Sequence, residues 1–126
     1  MIVLDTHAWV WWSSSPEKLS PRAKQLIRDA EEVGISAISP WEVSMLVAKG
    51  RLRLDRDVLA WVEEALAAGI SLLPISPRIA VAAGSLEELH GDPADRLIVA
   101  TAMETGSLLI SKDSGIRAFA GVNAVW

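Results

Sequence analysis

The 126-residue sequence has no cysteine, only two histidines and no long apolar run. Without cysteine the chain cannot form a disulfide framework, a thiolate zinc site or a cysteine nucleophile. The histidines, His7 and His90, match no zinc-binding spacing, so we expect both to be structural or peripheral rather than metal-ligating. The apolar run from Ala8 to Trp12 is far shorter than the ~20 residues of a membrane span. With no targeting signal at the N-terminus, these absences predict a cytoplasmic protein that does not contact the membrane.

The charge balance is acidic, with 12 Lys and Arg against 16 Asp and Glu and a net charge of −4. A protein that coats nucleic acid through bulk positive charge is therefore excluded, whereas an enzyme with a carboxylate cluster is compatible with this balance. Hydrophobic residues make up 51% of the chain and charged residues 22%, which excludes a disordered chain. The length predicts one domain, residues 1–126.

Four pairs of a capping residue followed by proline predict helix starts, because the cap satisfies free N–H groups and proline at the first helical position loses no hydrogen bond. These pairs are Ser20-Pro21, Ser39-Pro40, Ser76-Pro77 and Asp92-Pro93. A further helix is predicted from near Asp55 to Gly69. Three tryptophans, Trp9, Trp11 and Trp12, lie in a predicted first helix and cannot all face one side of it.

Short apolar runs between the helices predict strands. They are Ile2 to Leu4, Ile35 to Ile38, Leu72 to Ile75, Leu108 to Ile110 and Val122 to Val125. Alternating strands and helices predict an α/β fold of three layers, α/β/α, around a central parallel sheet of about five strands. Ligands of such folds bind beyond the carboxyl ends of the strands, so chemistry is expected in the residues that follow each strand.

Four acidic residues fall at this edge: Asp5, Glu42, Asp95 and Asp113. Each has an ordinary structural explanation. Glu42 fits a capping box with Ser39, Asp95 suits the positive end of a helix, and Asp113 can begin a short helix at Ser114. Asp92 is most simply a helix cap. Asp5 ends a buried strand, where a carboxylate is costly unless it is paired or bound to a cation.

The four acids together favour a metal site. Two carboxylates ~4 Å apart at an effective dielectric constant of ~20 repel by about 4 kcal/mol. Neighbouring cations, Arg96 and Lys112, carry too little charge to neutralise them all. A divalent cation resolves the repulsion, and oxygen ligands favour Mg²⁺, with Mn²⁺ as a possible substitute. Such an ion can activate water and stabilise charge on a phosphate.

Four segments resemble the PIN-domain ribonucleases, and within them the VapC-type toxins of bacterial type II toxin–antitoxin systems. The segments are residues 1–9 (MIVLDTHAW), 39–44 (SPWEVS), 90–102 (HGDPADRLIVATA) and 109–113 (LISKD). The resemblance extends to about residue 120 and implies a single PIN-like domain. The implied function is that of a magnesium-dependent endoribonuclease acting as a toxin, which hydrolyses RNA phosphodiester bonds with metal-activated water. The resemblance also implies a homodimer and a VapB-type antitoxin partner that covers the active-site groove.

The resemblance also implies roles for individual residues. Asp5 and Asp95 are expected to bind the metal, Glu42 to bind it directly or through water, and Asp113 to hold a second cation or orient water. Ser111 is expected to hydrogen-bond the acids or the scissile phosphate, and Thr6 to support Asp5.

Basic residues after the Glu42 helix are candidates for RNA binding at the edge of the groove. They are Lys49, Arg51, Arg53 and Arg56; a solvated turn explains them equally well. Arg96 can bind a phosphate or pair with a carboxylate. Among the six tryptophans we expect Trp61 and Trp126 in the core and at least one indole exposed, at an interface or against an RNA base.

Two other functions remain open at this point. A metal-dependent phosphotransfer domain, receiver-like or haloacid-dehalogenase-like, also places aspartates at strand ends. The second type wants an acid two residues after Asp5, where His7 stands. A non-catalytic PIN-like binding module is the other alternative, but such a module has no reason to keep mutually repelling carboxylates.

Overall fold

The computed structural model describes residues 1–126 and contains a five-stranded parallel sheet with helices on both faces. The strands are β1 (Ile2–Leu4), β2 (Val33–Ser36), β3 (Ile70–Leu73), β4 (Leu108–Ile110) and β5 (Ala124–Val125). The helices are α1 (Thr6–Ser14), α2 (Pro21–Asp29), α3 (Ile38–Ala48), α4 (Val58–Ala67), α5 (Pro77–Gly84), α6 (Pro93–Thr105) and α7 (Ser114–Ala118), and a 3₁₀ helix spans Pro16–Lys18. The strand order β3-β2-β1-β4-β5 confirms the predicted fold class.

The alternation of side chains along β1 divides the core into two layers. Ile2 and Leu4 face a layer that contains Trp9 of α1 and Trp61 of α4, whereas Val3 faces the opposite layer, built mainly from α6. Because successive residues of a strand point to opposite faces, three residues are enough to anchor both layers. The most buried helix, α6, is apolar nearly all round, as the sequence predicts.

Three of the four predicted cap–proline helix starts are confirmed. The side chains of Ser20, Ser76 and Asp92 each accept a hydrogen bond from a backbone N–H of the first helical turn. The predicted helix start near Asp55 moves to Val58, because Asp57 is the residue whose carboxylate accepts from the Ala60 N–H.

The fourth predicted start, at Ser39-Pro40, is wrong. Helix α3 begins two residues before the predicted first residue Pro40, at Ile38, whose N–H donates to the hydroxyl of Ser36. Ser39 is fully buried and its hydroxyl is hydrogen-bonded to that of Thr6, with 3.0 Å between the two oxygens. The predicted capping box between Ser39 and Glu42 is therefore absent, because a contact with α1 uses the serine.

Strand boundaries differ from the prediction by up to two residues. β2 and β3 each begin and end two residues before the predicted strands, and β5 is confined to Ala124–Val125. The shift follows from pairing with β1, which aligns Val33 with Ile2 and, through β2, Ile70 with Val33. None of the helices is both long and apolar enough to cross a membrane.

Candidate metal centre

The first acid of the site, Asp5, ends β1 and begins α1. Its carboxylate accepts a hydrogen bond of 2.8 Å from the N–H of Ala8, so it is the N-cap of the helix. Burial raises the pKa of Asp5, and a hydrogen bond from Ser111 partly opposes this shift. Helix capping and the Ser111 hydroxyl thus compensate a buried carboxylate that the sequence left without a partner.

The second acid, Glu42, is carried by α3 and is 8% exposed. Burial raises its pKa, a hydrogen bond from Thr6 lowers it, and the neighbouring charge of Asp92 raises it again. The Thr6 hydroxyl therefore lies close enough to Glu42 to lower its pKa, and support of Asp5 by Thr6 stays a prediction.

The remaining acids gather around Asp95 in two overlapping groups. One contains His90, Asp95 and Asp113, and the other contains Glu42, Asp92 and Asp95. In each group the candidate ligand atoms lie within 4.8 Å of one another. Asp5 belongs to neither group, and one of its oxygens already accepts from the N–H of Ala8. Direct metal ligation by Asp5 thus stays a prediction.

Crowding of these carboxylates is visible in the electrostatics of Asp95. Burial raises its pKa to about 7, and the charges of Asp92, Glu42, Asp113 and Asp5 add to the shift in that order. A carboxylate that keeps its proton near neutral pH marks a place where another negative charge is strongly disfavoured and a cation is favoured. Asp95 is the one residue common to both groups.

The N-termini of three helices lie at the same pocket. Asp5, Asp92 and Asp113 cap α1, α6 and α7, accepting hydrogen bonds from the N–H groups of Ala8, Asp95 and Ile116. Each cap places a carboxylate at the positive end of a helix, where it is stabilised by about 0.3–1 kcal/mol. Capping and a site role are therefore not alternatives for these acids, since one carboxylate can serve both.

Ser111 lies beneath the site and is fully buried. Its hydroxyl accepts a hydrogen bond from the N–H of Asp113 and also bonds to Asp5. It thus links the ends of β1 and β4. Contact between Ser111 and a scissile phosphate, one of the two expected roles, is not compatible with this burial.

His90 corrects the expectation of a peripheral residue. Its Nε2 lies 3.4 Å from a carboxylate oxygen of Asp95 and 3.5 Å from one of Asp113. Its Nδ1 accepts a hydrogen bond from the N–H of Asp92, so the proton of the neutral ring lies on Nε2 and faces the carboxylates. The sequence signal that could have placed His90 near the acids is its position two residues before Asp92, the cap of α6.

Arg96 forms no ion pair with a carboxylate, which was one of the two contacts expected of it. Its guanidinium donates hydrogen bonds to the backbone carbonyls of Ala83, Gly84, Leu89 and His90. Two of these acceptors lie at the end of α5, and the other two lie in the segment that joins α5 to α6. Arg96 therefore holds the connection that carries His90 and Asp92, and its donors are not directed at a phosphate or a carboxylate.

The basic stretch lies away from the acidic pocket. Lys49 follows Glu42 by seven residues along and just past α3, which is a rise of about 10 Å at 1.5 Å per residue. Arg53 and Arg56 line a cleft of about 640 Å³ together with the end of α1 and Ile70, the first residue of β3. That cleft is at the amino edge of the sheet, opposite the acids. Arg56 is moreover paired with Asp55 and Glu64.

Arg53 and Arg56 thus line a cleft that is separate from the carboxylates. An RNA contact of Lys49, Arg51, Arg53 and Arg56 stays a prediction.

The donors present fit a hard divalent cation. Each group combines carboxylate oxygens close enough to share one ion, and the raised pKa of Asp95 reports the charge that such an ion would neutralise. His90 adds a single imidazole nitrogen, which Mn²⁺ also accepts. The arrangement can bind a cation and, through it, phosphate oxygens.

Comparison with known proteins supports this interpretation. The sequence profile of the PIN domain family matches residues 2–122. The chain is 41% identical to Ribonuclease VapC22 of Mycobacterium tuberculosis over 117 residues, which cover 92% of this chain and 89% of that protein.

Solved structures share the fold. VapBC2 from Rickettsia felis, bound to a promoter DNA fragment, superposes with a TM-score of 0.73 at 16% identity, covering 99% of this chain and 98% of the other. A toxin–antitoxin complex from Klebsiella pneumoniae gives 0.69 at 22% identity, covering 100% of this chain and 97% of the other.

Proposed function

Since this chain belongs to the PIN domain family, we propose that it is a metal-dependent endoribonuclease and the toxin of a VapBC-type toxin–antitoxin pair. The observation that carries the proposal is the meeting of Glu42, Asp92, Asp95 and Asp113 at one edge of the sheet. Residues 1–126 act as one domain in this proposal. Family membership also disfavours the phosphotransfer alternative, and the intact acidic cluster disfavours the non-catalytic one.

The cofactor we propose is Mg²⁺, with Mn²⁺ able to replace it. Asp95 would bind it, together with Glu42 and Asp92 on one side or Asp113 and His90 on the other. When bound, the ion supplies the positive charge that activates a water molecule and stabilises the phosphate in the transition state. The carboxyl group of Asp5 lies beside this group, fixed by hydrogen bonds from the Ala8 N–H and from Ser111.

In this proposal the side chains of the site position the metal and the attacking water, and they hold or release protons. Burial and the neighbouring carboxylates raise the pKa values of Glu42 and Asp95, that of Asp95 to about 7, so the Asp95 carboxyl can hold or release a proton near neutral pH. Asp113 lies at the exposed side of the pocket, where an attacking water and the RNA strand must enter. It is therefore placed to orient that water or to hold a second cation.

The proposed partners follow from the family and its relatives. The substrate is RNA, and a VapB-type antitoxin would inhibit the enzyme by covering the acidic groove. A homodimer is expected from the family resemblance. The proposed place of action is the cytoplasm, where the RNA substrate is.

RNA cleavage by the purified protein tests the proposed activity. Cellular RNA is incubated with the protein and Mg²⁺, and the new RNA ends are sequenced. We expect discrete new ends that disappear with EDTA and in the Asp95→Asn variant, and that return when Mn²⁺ replaces Mg²⁺. The same RNA ends in all samples, or none in any, would refute the proposal.

A further inference from the structure

An acidic pocket that cleaves RNA needs a positive charge beside it to hold the strand. The ion pairs of the chain use Arg56, Arg78 and His90. Arg96 is engaged by four backbone carbonyls. Among the basic residues next to the catalytic acids, Lys112 is exposed and forms no ion pair, although Asp113 follows it in the chain.

The ammonium group of Lys112 is held by an aromatic ring instead of a carboxylate. Its Nζ lies 5.7 Å from the ring centroid of Trp11, which is a cation–π distance. This contact fixes the position of the amine without neutralising its charge. If Lys112 formed an ion pair with Asp113, its charge would be neutralised by the metal centre and could not attract a phosphate.

Trp11 contacts both Lys112 and the imidazole of His7. The centroid of the His7 imidazole, one turn earlier on α1, lies 5.7 Å from that of the Trp11 ring, and the Trp126 ring packs edge-on against the same indole at 5.6 Å. We call His7, Trp11, Lys112 and Trp126 the Trp11 platform. Its rings are half-buried or exposed, whereas both nitrogen groups, of His7 and Lys112, are exposed.

The platform adjoins the carboxylates through the chain itself. His7 follows Asp5 by two residues and is near enough for its charge to influence both Asp5 and Glu42. Lys112 stands between Ser111 and Asp113 at the end of β4. β1 and β4 are neighbours in the sheet, and Trp126 follows the edge strand β5, so the Trp11 platform lies beside the pocket on the side of β5.

We propose that the Trp11 platform is a phosphate-binding subsite, in which Lys112 and His7 hold the RNA phosphate next to the one that the acidic cluster cleaves. Lys112 supplies a fixed positive charge, His7 supplies a ring N–H donor, and Trp11 holds both in place. The inference rests on the proposed ribonuclease function. It explains how an enzyme with a negative net charge can bind negatively charged RNA. The ligand class is a single-stranded RNA phosphodiester.

Binding of RNA without cleavage tests the subsite. A short fluorescein-labelled single-stranded RNA is titrated with the protein in EDTA over a series of NaCl concentrations, and anisotropy gives the Kd. We expect Lys112→Met to weaken binding about three- to tenfold and to reduce the slope of log K against log [NaCl] by about 0.7, the value for one lost phosphate contact on a single strand. Lys112→Arg is expected to restore both.

The matched control is Lys18→Met, which removes an exposed lysine from the 3₁₀ helix beyond the far end of α1. It is expected to keep the wild-type Kd and slope. Trp11→Leu is expected to resemble Lys112→Met, and circular dichroism and thermal melting check that it folds. Lys112→Met itself changes only an exposed side chain, so the test does not depend on the fate of the Trp11 variant.

Steady-state cleavage in Mg²⁺ gives the second readout. We expect Lys112→Met to raise KM with little change in kcat, as for a group that binds the strand equally in ground and transition states. If Lys112→Met and Lys18→Met behave alike in both assays, the subsite is refuted while the ribonuclease proposal stands. If the wild-type protein binds RNA with the expected Lys112 dependence but cleaves none, the ribonuclease proposal fails instead. Absence of RNA binding by the wild-type protein would refute both.

Discussion

The Nε2 atom of His90 lies 3.4 Å from a carboxylate oxygen of Asp95 and so brings one nitrogen donor into a pocket of oxygens. The same atom is 3.5 Å from Asp113, which makes the imidazole a bridge between two acids. A cation held by these two carboxylates must come close to the imidazole. The ring then either becomes a third ligand of the cation or is displaced by it. The two possibilities predict different metal affinities when the ring is removed.

We expect His90→Ala to weaken binding of Mn²⁺ by about tenfold and that of Mg²⁺ less, because an imidazole nitrogen suits transition metals better than Mg²⁺. Isothermal titration calorimetry with each ion measures both affinities. His7→Ala is the control, because it removes the other histidine, which belongs to neither ligand group. If His90→Ala binds both ions as tightly as the wild-type protein, His90 only donates a hydrogen bond to the carboxylates of the metal-free site.

The raised pKa of Asp95 predicts how stability depends on pH without metal. Its carboxyl keeps a proton up to about pH 7 in the folded chain, whereas in the unfolded chain it loses the proton near its ordinary value of 3.8. The folded state thus binds more protons between these values, so the free energy of unfolding falls as pH rises through this interval and is level above it. Asp5 and Glu42 shift in the same direction.

Thermal melting in EDTA between pH 5 and pH 8 measures this effect, with Asp95→Asn as the matched control. We expect the variant to gain stability over the wild-type protein as pH rises, because its amide cannot ionise. Saturating Mg²⁺ at pH 8 should then stabilise the wild-type protein, by about 2.7 kcal/mol at a concentration of 100 Kd. A constant difference between the two proteins at all pH values would contradict the assigned pKa.

The cap made by Asp5 separates its structural role from its role in the site. Asn caps a helix about as well as Asp, whereas Ala costs about 0.5–2 kcal/mol. We therefore expect Asp5→Asn to abolish RNA cleavage with little loss of stability, and Asp5→Ala to abolish cleavage with a clear loss. Denaturant unfolding and a cleavage assay on both variants measure the two effects. Retained cleavage in Asp5→Asn would remove this residue from the catalytic site.

Local sequence signals were enough to predict the layers, the parallel sheet and three of the four cap–proline starts. Ser20, Ser76 and Asp92 cap their helices through contacts within three residues, which a sequence pattern contains completely. Ser39 has the same local pattern, but a hydroxyl on another helix, that of Thr6, competes for it. Such competition depends on packing and is invisible in the spacing.

The candidate site was predicted in part for a related reason. Parallel strands place their carboxyl ends at one edge, so Asp5, Glu42, Asp95 and Asp113 could be expected together. The orientation of a side chain on an irregular connection could not be expected in this way. His90 and the guanidinium of Arg96 therefore had to be located in the structure, as did the cleft that Arg53 and Arg56 line.

Arg96 is expected to act on the metal centre without touching it. It holds backbone carbonyls at the end of α5 and in the connection that presents His90 and Asp92, with distances of 3.0 Å to Ala83 and 3.2 Å to Leu89. Lysine keeps the charge but cannot form this fork of hydrogen bonds. Loss of hydrogen bonds from a charged donor leaves partly buried carbonyls unpaired, at a cost of about 1–3 kcal/mol.

We therefore expect Arg96→Lys to lower the free energy of unfolding by about 1–3 kcal/mol and to raise the Mg²⁺ concentration needed for half-maximal cleavage. At saturating Mg²⁺ much of the activity should return, because the carboxylates themselves are intact. Arg22→Lys, at an exposed position of α2, is the control for the exchange of arginine for lysine. An Arg96→Lys variant that is as stable as the wild-type protein but inactive at every Mg²⁺ concentration would show that the guanidinium acts on the RNA itself, because a positioning role requires both the loss of stability and the recovery with metal.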